Sequence, residues 1–542
     1  MTLLSARVDA GKLADETGPA PGARVGRRRP LVLLGASLLV VAVLALPLAF
    51  LLTDAAGAGA LGIWHLIWRS LTASLLWNTI RLTVVVTVLC AVIGTLAAYG
   101  IERTDLPGRH IFAVLVVVPF AIPDFVVSFA WSSLSTWVQG FRGAVLVMTL
   151  AVYPLVYLPV AASLRGADPG QEEIARSLGA SALSTFFRVT LGQARRAILG
   201  GCLLVALVIL AEYGAFEILG FQTFSTEIFT EYSVGFAVPA ACALSLVLVV
   251  LSFLVLVGES SARGAGRLSR TGPGAQRGLV RRRLGRARPF VLCAYGLLVL
   301  CALGVPVGSS IYWIFAGGAH DLGGLSLGSA ALYTLAYGLS AALVATLMAL
   351  PVALLVTRYP GRLHLMLERT TFLVLAMPGL VVALALSYFS NQYLNDFAYQ
   401  TAPLLVLAYS IMSFPLALVC VRASLVLAPV GLEEVAGSLG VGRLRALLRV
   451  TLPLVAPGIG AAFCLVFLST VTELTATLIL IPTNTATLAT QFWAYQQNLS
   501  YGQAAPFALV IIAIAAVPSY VLGRFFDRLP RKGVSQVSVV AT

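Results

Sequence analysis

Charge is scarce in this chain, and lysine nearly absent. Of its 542 residues only 11% are Asp, Glu, Lys or Arg, while 59% are hydrophobic. About a quarter of an ordinary soluble domain is charged, so an aqueous globular protein is excluded and a bilayer must be the main solvent. Its only lysines are Lys12, followed by Leu13, and Lys532, followed by Gly533. A GxxxxGK[ST] phosphate loop therefore cannot exist here. Histidine is nearly as rare: His65, His110, His320 and His364 are scattered and suggest no metal centre. The seven cysteines lie in apolar segments with no CxxC spacing, which reads as small core hydrophobes rather than zinc ligands. No Ser/His/Asp constellation points to hydrolysis. The net charge of +14 is almost all arginine, in short segments beside apolar runs. That is the signature of membrane topology, and no nucleic-acid partner is expected.

What is present in quantity is apolar sequence in runs of about 20 residues, the length of a helix that spans a bilayer. The expected fold is all-α and polytopic, with about twelve spans. Six lie near Leu31–Thr53, Asn78–Ile101, Ile111–Trp131, Gly143–Leu164, Ala197–Ile218 and Phe236–Val257. Six more lie near Pro289–Phe315, Ala331–Arg358, Thr371–Phe389, Pro403–Leu425, Pro457–Leu480 and Ala505–Leu522. Arg24, Arg27, Arg28 and Arg29 precede the first span and hold the amino terminus in the cytoplasm by the positive-inside rule. Counting from there, the arginine-rich loops, such as Arg362 with Arg369, fall on the cytoplasmic side, as do both termini. The first span is too long and too far from the start for a cleaved signal peptide, so it is expected to remain. Five segments follow: a tail (1–30), a first half (31–258), an Arg/Gly-rich linker (259–288), a second half (289–525) and a tail (526–542). The linker reads as flexible and cytoplasmic, and its arginines suit contact with membrane lipid.

The halves repeat one another. EEIARSLGASALSTFFRVTLGQARRAI, from Glu172, aligns with EEVAGSLGVGRLRALLRVTLPLVAPGI, from Glu433, at an offset of 261 residues. The same offset pairs Gly179 with Gly440, Thr190 with Thr451, Pro154 with Pro415 and Glu212 with Glu473. LPGR from Leu106 also matches YPGR from Tyr359. Six spans per half give both halves one orientation, a parallel repeat about an axis along the membrane normal. Within each shared loop, apolar residues at helical spacing predict a short amphipathic helix. Small Ala and Gly positions on it leave room for another backbone, as in a helix that docks in a partner's groove. A helix lying on the membrane interface has the same pattern.

The shared loop resembles the EAA motif of importer permeases of the ATP-binding-cassette type. Glu173, Ala175, Gly179 and Val189-Thr190-Leu191 match it in the first copy; Ile174 replaces the middle Ala and Gly192 the Pro. Glu434, Ala436, Gly440 and Val450-Thr451-Leu452-Pro453 match in the second, with Val435 departing. The resemblance implies a type I importer permease with two coupling loops, residues 172–192 and 433–453, docking on ATPase subunits. It further implies two copies of that ATPase, an extracytoplasmic substrate-binding protein and a bacterial inner membrane. No cofactor is expected on this chain, with ATP and Mg held by the partner, so the chain is a transporter subunit rather than an enzyme. ERTDLPGR from Glu102, AEYGAFEILGFQTFSTEIF from Ala211 and TELTATLILIPTNTATLATQFW from Thr472 resemble fused permeases for ferric iron. Thiamine, phosphonate, sulfate and polyamine importers are alternatives of the same type.

Glu212 and Glu473 stand at equivalent places late in the fifth span of each half. A buried carboxylate in a membrane costs about 2.5–3.5 kcal/mol on insertion scales, so a symmetric pair needs a reason. One reason is a translocation path, since hard cations prefer oxygen ligands; another is capping of a neighbouring helix end. Asp124 and Tyr213 join them as path candidates, and Pro119, Pro123 and Pro378 are expected to break their helices. A proton-coupled facilitator also has twelve spans in two halves, but the paired EAA loops argue against it.

Overall fold

The computed structural model describes residues 31–57, 68–167, 170–235, 237–263, 281–317, 324–359, 377–394 and 398–528, with a few isolated positions between. The tail 1–30, linker residues 264–280, the loop with Arg362 and Arg369, residues 529–542, His320 and His364 lie outside them. Among the described residues all regular structure is helical, apart from one isolated bridge between Thr104 and Arg282.

The first half opens with α1 (Leu31–Gly57), α2 (Ser70–Arg103), α3 (Arg109–Leu115) and α4 (Asp124–Leu134). It continues with α5 (Gly140–Val152), α6 (Pro154–Gly166), α7 (Gly170–Ser177) and α8 (Ala182–Thr185). A π-turn at Phe186–Thr190 then leads into α9 (Leu191–Ala211), α10 (Gly214–Ile218), α11 (Phe224–Ser233) and α12 (Val238–Arg263). The second half repeats the plan. Its helices are α13 (Arg288–Val299), α14 (Val305–Ala316), α15 (Gly324–Arg358), α16 (Gly379–Tyr393), α17 (Ala402–Leu427), α18 (Val430–Ser438) and α19 (Arg443–Ala446). A second π-turn at Leu447–Thr451 precedes α20 (Leu452–Val471), α21 (Thr475–Leu480), α22 (Leu488–Gln497) and α23 (Tyr501–Arg528).

Among the described residues, ten helical segments are long and apolar enough to cross a membrane, and a bent pair adds an eleventh. That pair is the expected third span, Ile111–Trp131, which is not straight: its two parts meet at 93°. The cause is local. Pro123 has no N–H and pushes Ile122 into extended backbone (φ −88°, ψ 124°), so one helix stops and α4 starts afresh at Asp124. Pro378 opens α16 with the same geometry (φ −58°, ψ 148°, against −57° and 140° at Pro123). Much of the ninth expected span, Thr371–Phe389, before Met377 lies outside the described residues.

Each half has a three-helix centre, α2 with α6 and α9 in one and α15 with α17 and α20 in the other. Small residues let these helices close up, as is usual where lipid supplies no hydrophobic drive. A Cβ at Gly201 on α9 would come within 2.7 Å of the Val156 Cα on α6. The first helix of each half crosses to the other half. From the first, α1 packs on α15 and α16, with the Phe50 ring tilted against Phe389 at 4.7 Å between centroids. Reciprocally, α13 and α14 lie on the first half: the Tyr295 hydroxyl donates to the Ala97 carbonyl (2.6 Å) and the Trp313 indole to Ser133 Oγ (2.9 Å).

The linker expected over 259–288 is shorter than that range. Helix α12 continues to Arg263, and the far end is docked rather than free. The Arg282 N–H donates to the Arg103 carbonyl (2.9 Å), the Asp105 N–H donates to the Arg282 carbonyl (3.0 Å), and the Leu284 N–H donates to Asp105 Oδ1 (2.8 Å).

Candidate translocation path and docking loops

The repeated loops take one shape in both halves, and it is not the continuous amphipathic helix that apolar spacing predicts. In the first, α7 stops at Ser177 and the chain turns at Gly179, whose φ is +84°. The Gly179 N–H donates to the Arg176 carbonyl (2.9 Å) and the Ala180 N–H to the Ala175 carbonyl (3.0 Å). In the second, Gly440 (φ +81°) donates to Gly437 (3.1 Å) and Val441 to Ala436 (3.0 Å). Both are Schellman closures, in which glycine at the left-handed position satisfies carbonyls that the helix end orphans. The motif glycines thus turn the chain and do not lie within a helix face. Nor do the motif alanines face outward, because Ala436 is buried and Ala175 half-buried against this chain. The outward side carries Glu173, Ile174 and Leu178 in one loop and Glu434, Val435 and Leu439 in the other. Leu178 is 82% exposed and Leu439 77%, an apolar display at helix tips that are otherwise polar.

Behind each tip an ion pair ties the loop to a long helix. Arg103, the last residue of α2, is 5% exposed and lies 3.7 Å from Glu172 Oε1; Arg358, the last of α15, is 7% exposed and lies 3.0 Å from Glu433 Oε1. The same carboxylate oxygens accept from Thr190 Oγ1 (2.9 Å) and Thr451 Oγ1 (3.0 Å), residues that close the two π-turns. The sequence reading assigned importance to Glu173 and Glu434 and missed their neighbours Glu172 and Glu433. The signal was available, since Glu172 with Glu433 and Thr190 with Thr451 share the 261-residue offset and an arginine ends each second span.

Toward the other end of the molecule, the path candidates sit where helices break. The Glu212 backbone caps α9 while its carboxylate Oε1 accepts from the Ala215 N–H (2.7 Å) at the start of α10. Its equivalent, Glu473, does the same for the Ala476 N–H (3.1 Å) at α21. Each carboxylate satisfies an N–H that a broken helix leaves orphaned, so capping is a directly observed role. Asp124 occupies the first turn of α4, where the helix dipole favours negative charge. All three acids are half-buried among buried neighbours, and Asp124 lies within electrostatic range of both glutamates. Glu473 also lines a cavity with room for about one water, shared with Thr334, Tyr337, Tyr409 and Thr487. Among the described residues no three His, Cys, Asp or Glu side chains are grouped to chelate a metal. Tyr213, the fourth path candidate, packs among aromatic rings. It is 3% exposed, stacked 4.3 Å from Phe229, and packs against Trp493 of the other half.

The two halves, each with its broken helices and its Schellman-closed loop, coincide with two matches to one family model. Residues 91–258 and 345–534 match the binding-protein-dependent transport system inner membrane component. The chain belongs to that family. It is a multi-pass transport subunit of the ATP-binding-cassette type, not an enzyme, and the family's nucleotide hydrolysis resides on a separate subunit. Among relatives of this permease, the Fe(3+)-transport system permease protein FbpB 2 of Haemophilus influenzae is 35% identical over 92% of this chain and 99% of its own length. The sulfate transport system permease protein CysT of Salmonella typhimurium is 30% identical over 41% of this chain and 88% of its own. The molybdate/tungstate transport system permease protein WtpB of Pyrococcus furiosus is 26% identical over 35% and 78%. The iron permease therefore aligns with both halves at once, and the oxyanion permeases with less than half of the chain. Family membership implies an ATPase and a substrate-binding partner.

Proposed function

We propose that this chain forms the complete membrane path of a ferric-iron importer of the bacterial inner membrane. Two copies of one ATPase subunit, which hold ATP and Mg, dock on its cytoplasmic loops, and an extracytoplasmic binding protein delivers the cargo. The observation that carries the cargo assignment is the full-length similarity to the Haemophilus iron permease. The chemistry is consistent with it, because Asp124, Glu212 and Glu473 bring carboxyl oxygen donors to the helix breaks, ligands that suit a hard cation better than an oxyanion. The loop residues Glu173, Ala175, Gly179, Glu434, Ala436 and Gly440 take two roles in this reading. The glutamates, with Ile174, Leu178, Val435 and Leu439, contact the ATPase, and the alanines and glycines shape the tip. The positive-inside rule places both termini in the cytoplasm with these loops.

Reconstitution of the permease with its ATPase, with binding proteins loaded in turn with Fe³⁺, thiamine, sulfate or molybdate, tests the reading. Hydrolysis and uptake stimulated by the ferric-loaded protein alone is the expected result. Stimulation by another cargo replaces iron and leaves the permease assignment intact.

A further inference from the structure

The Arg–Glu–Thr clusters behind the loops belong to a longer arrangement that runs the height of each half. Helices α2 and α15 contain 34 and 35 residues, about 51 Å at 1.5 Å per residue, well beyond a hydrocarbon core of about 30 Å. At one end each carries the clamped arginine, and 24 residues earlier each carries a buried threonine, Thr79 or Thr334. That spacing corresponds to about 36 Å along the helix. Thr79 Oγ1 accepts from the Phe224 N–H (3.2 Å) at the start of α11, and Thr334 Oγ1 accepts from the Leu488 N–H (2.9 Å) at the start of α22. Those two short helices are closed by matching capping boxes, Thr223 with Thr226 and Thr487 with Thr490. Both reach across to the opposite half. From α11 the Tyr232 hydroxyl meets Ser387 of α16 (3.1 Å), and from α22 the Phe492 ring lies 5.3 Å from both Phe125 and Phe129 of α4.

We propose that α2 and α15 are transmission rods. Each is gripped at its loop end by a clamp (Arg103–Glu172–Thr190 or Arg358–Glu433–Thr451), and each carries at its far end the helix that seals against the other half. The proposal rests on the docking reading above, because the force enters through the loops. An ion pair shielded from water holds a geometry more firmly than an exposed one, and its carboxylate is fixed from a second side by the threonine. An α-helix transmits axial displacement with little loss, and Pro351 lies within α15 without interrupting it. Since α4 and α16 begin after Pro123 and Pro378, at Asp124 and beside Glu473, movement of α11 and α22 acts on the helices that open at the acids. In the first half the linker adds a tie, as Arg282 pairs with the backbone of Arg103 itself. The clamp residues are positioning residues and touch no cargo.

The test separates docking from transmission. Spin labels at Ser233 and Tyr393, both exposed and on facing elements of opposite halves, report the seal in the full chain assembled with its ATPase and freed of native cysteines. In the wild type, a non-hydrolysable ATP analogue is expected to change the distance between labels. Thr190→Val with Thr451→Val removes two hydroxyls at constant shape, and Arg358→Gln removes one charge. Both variants should capture the ATPase and hydrolyse ATP at rates within about twofold of wild type, while the label response disappears and uptake per ATP falls about tenfold or more, the scale of losing hydrogen bonds to charged groups. The reversed pair Arg358→Glu with Glu433→Arg should restore much of the response. An unchanged label response in both clamp variants overturns the proposal, as does a parallel loss of capture, which makes the clamp a folding element only. If the wild type itself captures no ATPase, the docking reading has failed instead; a cargo other than iron leaves the rods untouched.

Discussion

Single residues at the loop tips separate shape from contact. Gly179 and Gly440 have open space around an added Cβ, so substitution there acts through φ alone. A residue with a Cβ costs about 1–2 kcal/mol in that left-handed region, and asparagine tolerates it better than alanine. Gly179→Ala and Gly440→Ala should therefore weaken ATPase capture, measured as Kd by titration, by about tenfold, with the asparagine variants weakened less. Leu178→Asp with Leu439→Asp leaves the turn intact and removes the apolar contact. Losing the burial of each leucine forfeits about 1.5–3 kcal/mol, so capture should fall at least tenfold while the purified permease keeps its unfolding temperature. Within the membrane, amide and alanine substitutions divide the two roles of Glu473. Glu473→Gln keeps an oxygen for the Ala476 N–H and should preserve thermal stability while lowering ferric uptake; Glu473→Ala also loses about 1 kcal/mol of capping. Equal uptake by the amide variant and the wild type would reduce Glu473 to a cap.

At the scale of elements, the helix break at Pro123 is set by the proline itself. Pro123→Ala gives Ile122 access to helical backbone and frees the unfolded chain, so stability in detergent should drop by about 0.4–1 kcal/mol. A rise in stability would show that the break is strained rather than pre-set. The break at Pro123 was legible because proline acts locally, as were the long spans, whose apolar runs need no partner to declare themselves. The short helices α11 and α22 were not, because they lie between the expected spans, where Thr, Glu and Gln leave no long apolar run. Helices α10 and α21 fall inside the expected spans Ala197–Ile218 and Pro457–Leu480, which apolar content presents as continuous and which in the structure break at Glu212 and Glu473. The turn within each loop was misread for a related reason. Gly179 and Gly440 fit a helical stripe by spacing, yet a glycine near a helix end is as much a stop signal, and two copies with the same spacing do not decide between them. The π-turns left no mark, since one extra residue per turn shifts the pattern by less than the tolerance of a short apolar stripe.

The whole molecule is held together by exchange as much as by the linker. Helix α1 belongs to the first half and packs on α15 and α16 of the second, while α13 and α14 belong to the second and pack on α2 and α4 of the first. No sequence signal announces this, because an apolar helix carries no address for the face it will cover. The exchange has a consequence for assembly. A linker raises the effective concentration of the two halves for each other without itself supplying the interface. Cutting the chain within residues 264–280 leaves every described contact between the halves in place, including the pairing of Arg282 with Arg103 and Asp105. Co-expressed fragments 1–270 and 271–542 should therefore co-purify through a tag on either one and support uptake within about threefold of the intact chain, the loss reflecting only reduced effective concentration. Removing residues 31–57 from the first fragment strips α1 from α15 and α16 and should abolish co-purification or leave a pair that falls apart in detergent. If the intact fragments fail to associate while each inserts stably alone, the covalent linker, and not the exchanged helices, is what joins the halves.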